Sequence, residues 1–121
     1  MKGLVEIVRN ELIMAAKRRK TTTEEYLMLL VEQYSQNTKE NNLNELIREI
    51  GNFDLENNRP ELWCLLLKEE TGQPDNSYFM FLEQRNQVDM TESREDILFK
   101  QQSLAHDYWS KRRRTGNRSI K

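Results

Sequence analysis

Apolar residues recur at helical spacing in several stretches of this chain. In residues 3–19, Leu4, Val8, Leu12 and Ala15/Ala16 form one stripe, widened by Val5 and Ile13, while Glu6, Arg9, Asn10 and Lys17 cover the other side. This predicts a first helix closed by Lys17-Arg18-Arg19-Lys20, where cations complement the carbonyl end of the dipole. Thr22 with Glu25 forms a capping box and predicts the start of a second helix. Residues 26–31 are apolar on every side, which places that helix centrally in the core, with a buried strand as the competing reading. Residues 35–42 are polar and read as a loop. Asn42 with Glu45 opens a third helix, on which Leu43, Leu46, Ile47 and Ile50 follow the i, i+3, i+4, i+7 pattern. Gly51 can end it in a left-handed cap, although Phe53 and Leu55 suggest a further ordered turn. Asn57-Asn58-Arg59-Pro60 is a break.

The second half is patterned differently. Residues 62–67 are a continuous apolar run just after a proline and read as a buried strand. Residues 69–76, with Gly72 and Pro74, are turn-rich, and residues 77–82 read as the return strand or the first turn of a short helix. A hairpin is the simplest join. The last helix is expected from Thr91 or Ser93, with Ser93 and Asp96 as its box and Ile97/Leu98, Leu104/Ala105 and Tyr108/Trp109 on one face. The fold class expected is α+β and mostly helical: three helices, a β-hairpin and a C-terminal helix. That is the order of a winged helix, with the loop at 69–76 as the wing. Residues 1–110 would form the domain and 111–121 a basic C-terminal tail.

The hairpin region also carries a resemblance. The run Arg59-Pro60-Glu61-Leu62-Trp63-Cys64-Leu65-Leu66-Leu67-Lys68-Glu69-Glu70-Thr71-Gly72-Gln73-Pro74, followed by Tyr78-Phe79, resembles a group of small bacterial winged-helix-like domains found alone or near restriction-type and mobile-element genes. Their end pattern is matched by Tyr108-Trp109. Their second-helix start is matched in part by Thr21-Thr22-Thr23-Glu24-Glu25-Tyr26, with Thr23 where a tyrosine is usual. The resemblance covers about two thirds of the chain and implies a winged helix without assigned activity. The pattern also resembles the winged-helix domain of alkylguanine-DNA methyltransferases. Their reactive Pro-Cys-His-Arg is replaced here by Trp63-Cys64-Leu65-Leu66, so that activity is not carried over.

Composition narrows the chemistry. The 121 residues suit one domain, and 36% hydrophobic with 32% charged residues supports a modest core. A net charge of -1 gives no global field toward nucleic acid or membrane. Cys64 is the single cysteine and lies in an apolar run, where a buried inert thiol is expected. With one histidine, His106, far from it in sequence, no metal cluster is expected. Glu69-Glu70 is the carboxylate pair in a loop, and nothing around it supplies a cleft. Thr71-Gly72-Gln73-Pro74 is too short to cradle a phosphate. The expectation is therefore no catalytic residue, no metal, no cofactor and no enzyme. No stretch approaches the roughly 20 apolar residues of a membrane span. The start Met1-Lys2-Gly3 leads into a charged amphipathic helix rather than a signal peptide, so a cytoplasmic location is expected.

Binding remains. Two basic clusters stand out: Lys17, Arg18, Arg19 and Lys20; and Lys111, Arg112, Arg113, Arg114 and Arg118, in a terminal stretch of six cations with no acid. Together with Arg48 on the third helix they are the expected nucleic-acid contacts. Glu45 and Glu49 on that helix, and Glu69, Glu70 and Asp75 on the wing, oppose base-specific reading, so contact is expected to be sequence-tolerant. The alternative is a protein-interaction module, partner of a nuclease or defence-type protein, using an aromatic patch of Trp63, Tyr78, Phe79, Tyr108 and Trp109.

Overall fold

Helices stand where the periodic stretches are, and each has a local reason to start or stop. The computed structural model describes residues 3–34, 42–89 and 91–118, with side chains described as far as residue 110. In chain order the elements are α1 (Leu4–Lys17), β1 (Thr22–Thr23), α2 (Glu24–Tyr34), α3 (Leu43–Glu56), β2 (Leu66–Leu67), α4 (Asn76–Gln84) and α5 (Arg94–Arg118). Asn42 caps α3 by accepting from the Asn44 amide at 2.9 Å, and Ser93 caps α5 by accepting from the Asp96 amide at 3.1 Å. The cap of α2 lies one residue later than the predicted box. Thr23, not Thr22, accepts from the Tyr26 amide, and Glu25 reaches away to accept from the Glu69 amide. The loop predicted at 35–42 lies, but for Asn42, outside the described residues.

The sheet departs from expectation. β1 and β2 pair in parallel, with Thr22 opposite Leu66 and Thr23 opposite Leu67. Parallel neighbours need a crossover, here supplied by α2 and α3. The predicted hairpin is thus corrected. Its first strand is a 3-10 turn, Trp63–Leu65, running into the two residues of β2, and in place of a return strand stands α4, the short-helix alternative for residues 77–82. The burial pattern explains why. Tyr78, Phe79, Phe81 and Leu82 are buried while Met80 between them is exposed. That is a helical period, whereas a strand would have to bury both faces. Asp75 seals the choice by accepting from the Ser77 amide at 2.9 Å. Without a returning strand, the loop at 69–76 is no wing among the described residues, and the coarser reading of a mostly helical domain with a small sheet is what holds.

α1 is the centre of the packing and touches α2, α3 and α5. Val8, Leu12, Leu27, Ile47, Ile50, Leu62, Leu65, Leu82 and Ile97 make the fully buried aliphatic core. Trp63 fills its middle, with ring centroids 5.8 Å from Tyr78 and 5.1 Å from Phe81. Gly51 does not end α3. It lies inside the helix, where an added Cβ would stand 2.8 Å from Phe81 Cζ, so the residue is small to admit α4. The helix ends instead on Asn58, in the left-handed region at φ 57, with the Arg59 amide donating to Asp54 O and the Asn58 amide to Leu55 O.

Candidate nucleic-acid interface

The first basic cluster is built by the end of α1. Lys20 donates its amide to Ala15 O and Arg19 to Ala16 O, a Schellman ending with Arg19 at φ 56. The same ending closes α3 on Asn58 and α4 on Asn86, both residues that tolerate the left-handed region. Arginine does not, and its presence there costs about 1 kcal/mol. The compensation is a contact: Arg19 Nη2 is 2.8 Å from Asp107 Oδ1 on α5. Beside it His106 Nε2 donates to Lys20 O at 3.0 Å. Lys17, Arg18, Arg19 and Lys20 are all exposed.

The backbone of α5 continues from this contact toward the second stretch of cations. Lys111 follows Asp107 by one helical turn, about 6 Å along the axis. The backbone stays helical through Arg118, so the expected boundary at 110/111 falls inside a helix. The side chains of Lys111, Arg112, Arg113, Arg114 and Arg118 lie outside those described, as does Lys121.

Arg48 stands on the outer face of α3. Its guanidinium carbon stands 5.8 Å over the Trp63 ring, and its neighbours along the outer face of α3 are Glu45, Glu49, Asn52 and Glu56. It serves as a cover for the core in an acidic setting. The aromatic patch is also corrected. Trp63, Tyr78, Phe79 and Trp109 are buried, and Tyr108 is half-buried with its ring against Trp109 at 5.2 Å. Folding uses these rings because they are the largest apolar volumes the core can recruit.

A groove beside the first cluster was not anticipated. Glu11, Met14 and Ala15 of α1, Arg18 that caps it, Tyr26 of α2, and Lys20, Thr21 and Thr22 between the helices line about 300 Å³. Tyr26 is 47% exposed and Met14 44%, while Leu27 next to Tyr26 is fully buried. The all-round apolar run concealed this, since hydropathy does not say which of six neighbouring residues faces out.

Comparison with protein-family models, curated proteins and solved structures finds no match.

Two buried carboxylates also escaped the sequence reading. Asp54, with no exposure, bonds Arg9 Nη2 at 2.7 Å and faces Arg59 Nε at 3.7 Å. Burial pushes its carboxyl up, and Arg9 then Arg59 pull it back. Both guanidinium groups stack on Phe53, at 5.1 and 5.0 Å. The signal existed: Ile47, Ile50 and Asp54 fall on one stripe of α3. Glu61, 1% exposed, accepts from the Cys64 amide at 3.0 Å and from the Tyr78 hydroxyl at 3.4 Å. Burial raises its carboxyl to about 7 and drives the Cys64 thiol up. Cys64 is fully buried and donates to Glu61 O. This is the reverse of an activated nucleophile, which needs a stabilised thiolate and access. Among the described residues, no group of three or more His, Cys, Asp or Glu is placed to hold a metal, and no helix is long and apolar enough to cross a membrane.

Proposed function

We propose that the chain is a non-catalytic accessory module that contacts nucleic acid through one basic end, with low sequence specificity. The observation that carries the reading is the Arg19–Asp107 contact, which docks the end of α1 one helical turn from Lys111. Two clusters far apart in sequence then act on the same stretch of backbone. Phosphate contacts of this kind supply affinity and carry little sequence information. The acidic outer face of α3 favours the same division of labour, because Glu45, Glu49 and Glu56 would repel a backbone laid along it. The buried Cys64 and Glu61 support the non-catalytic part.

The test is fluorescence anisotropy with a labelled duplex across a salt series, comparing the full chain with a variant carrying Lys17→Ala, Arg18→Ala and Lys20→Ala. Weakened binding that converges with the parent at high salt supports the reading. Equal affinity of the two proteins at every salt concentration removes it.

A second reading, a protein-interaction module, draws on α2. Leu29 is 66% exposed and Tyr34 59%, on a helix whose Leu27 and Val31 already serve the core. A Leu29→Glu variant that folds normally and keeps every nucleic-acid property, yet loses a co-purifying protein, would favour this reading.

A further inference from the structure

We propose that the groove between α1 and the start of α2 takes one unstacked base of a single-stranded nucleic acid, with Tyr26 as its stacking platform. The proposal rests on the nucleic-acid reading and narrows it to a strand class and a subsite. Three features of the groove converge. It offers a half-exposed aromatic ring in one groove with Met14 and Ala15, a lining that suits the flat faces of a base. It is flanked by Arg18 and Lys20, whose charge complements the phosphates on either side. Its polar lining is short and varied: Thr21 and Thr22 hydroxyls, and the Glu11 carboxylate, which accepts from the exocyclic amine of a cytosine. A carboxylate at this place opposes a phosphate but fits a base edge.

The surroundings favour a strand over a duplex. β1 pairs with β2 alone among the described elements, and its Thr22 lines the groove. A duplex keeps its bases stacked and presents no face to a tyrosine, whereas a single strand can turn one base in. Tyr26 is free for this duty because Leu27 and Val31 carry the core contacts of α2.

The experiment uses the full chain and three labelled probes at low salt: a 12-mer of deoxycytidine, the same length with abasic sites, and a 12-base-pair duplex. The intact 12-mer should bind about five- to 100-fold more tightly than its abasic form, as expected for one stacked base. Tyr26→Ala should lose that advantage and leave the duplex affinity within twofold, while Tyr26→Phe should keep it. Equal binding of the intact and abasic strands overturns the base-stacking proposal and leaves the nucleic-acid reading standing. Failure to bind any probe overturns both. The abasic comparison is made on the parent protein, so it stands even where Tyr26→Ala disturbs folding.

Discussion

Arg19 and Asp107, 88 residues apart in the chain, meet at 2.8 Å on the surface. Arg19 also occupies a left-handed position that asparagine fills at the ends of α3 and α4. A surface ion pair contributes 0 to about 1 kcal/mol, comparable with the strain. The contact therefore about offsets the strain and adds little net stability, and under the proposed function Arg19 belongs to the basic end. Asp107→Asn should leave the melting temperature almost unchanged. It should tighten nucleic-acid binding at low salt and steepen the salt dependence by up to about one unit, because a neutralising carboxylate is gone. Weaker binding by this variant, measured by anisotropy, would contradict that assignment.

The Asp54 network predicts a large loss of stability. Asp54→Ala strands Arg9, whose side chain is 14% exposed, beside an apolar core. Breaking a buried pair in this way costs about 3–5 kcal/mol. Arg59→Ala should cost less, since its nitrogen is 3.7 Å away and its side chain is more exposed. Urea unfolding of the two variants checks the order.

Glu61 makes stability depend on pH. Its carboxyl titrates near 7 in the fold against 4.5 unfolded. Below 4.5 both states are protonated and no penalty exists. As pH rises from 4.5 to 7 the unfolded chain ionises first, so stability falls, by about 3 kcal/mol in all at roughly 1.36 kcal/mol per unit, and is level above 7. Asp54, also raised, acts in the same direction. Asp75, lowered to about 2 mainly by its bonds to Ser77, acts at lower pH, outside this window. Urea unfolding at pH 5 and pH 8 should show the drop, and Glu61→Gln should remove most of it. An equal drop in both proteins would refute the role.

Gly51→Ala tests the α3–α4 contact. The new methyl would meet a buried Phe81 ring at 2.8 Å. Overpacking costs about 1–3 kcal/mol, partly offset by about 1 kcal/mol of helix propensity. A net loss in thermal stability is expected; a gain would mean that Phe81 yields freely.

Much of the helical frame was legible because periodic stripes and caps are local signals. Leu43, Leu46, Ile47 and Ile50 mark α3, and Asn42 and Ser93 cap where expected. The hairpin failed for a local and a non-local reason. Residues 62–67 and 77–82 are both apolar enough for strands, the strand reading omits the local Asp75 cap that starts α4, and tertiary burial turns Met80 outward and pairs Leu66 with Thr22. The aromatic patch failed in the same way, since exposure of Trp63 or Phe79 depends on what packs over it. The basic clusters were visible as composition. The docking of α5 against the end of α1 at His106 and Asp107 was not, because it joins residues more than 80 positions apart.

The most direct measurement is the slope of log affinity against log salt for duplex binding by the full chain and by a chain ended after Ser110. With about six phosphate contacts spread over both clusters, the full chain should give a slope of roughly -5. The shortened chain should give a clearly shallower slope that flattens further when Lys17, Arg18 and Lys20 are replaced by alanine. Identical slopes for the full and shortened chains, or affinity that does not change with salt, would contradict a basic end built from both clusters.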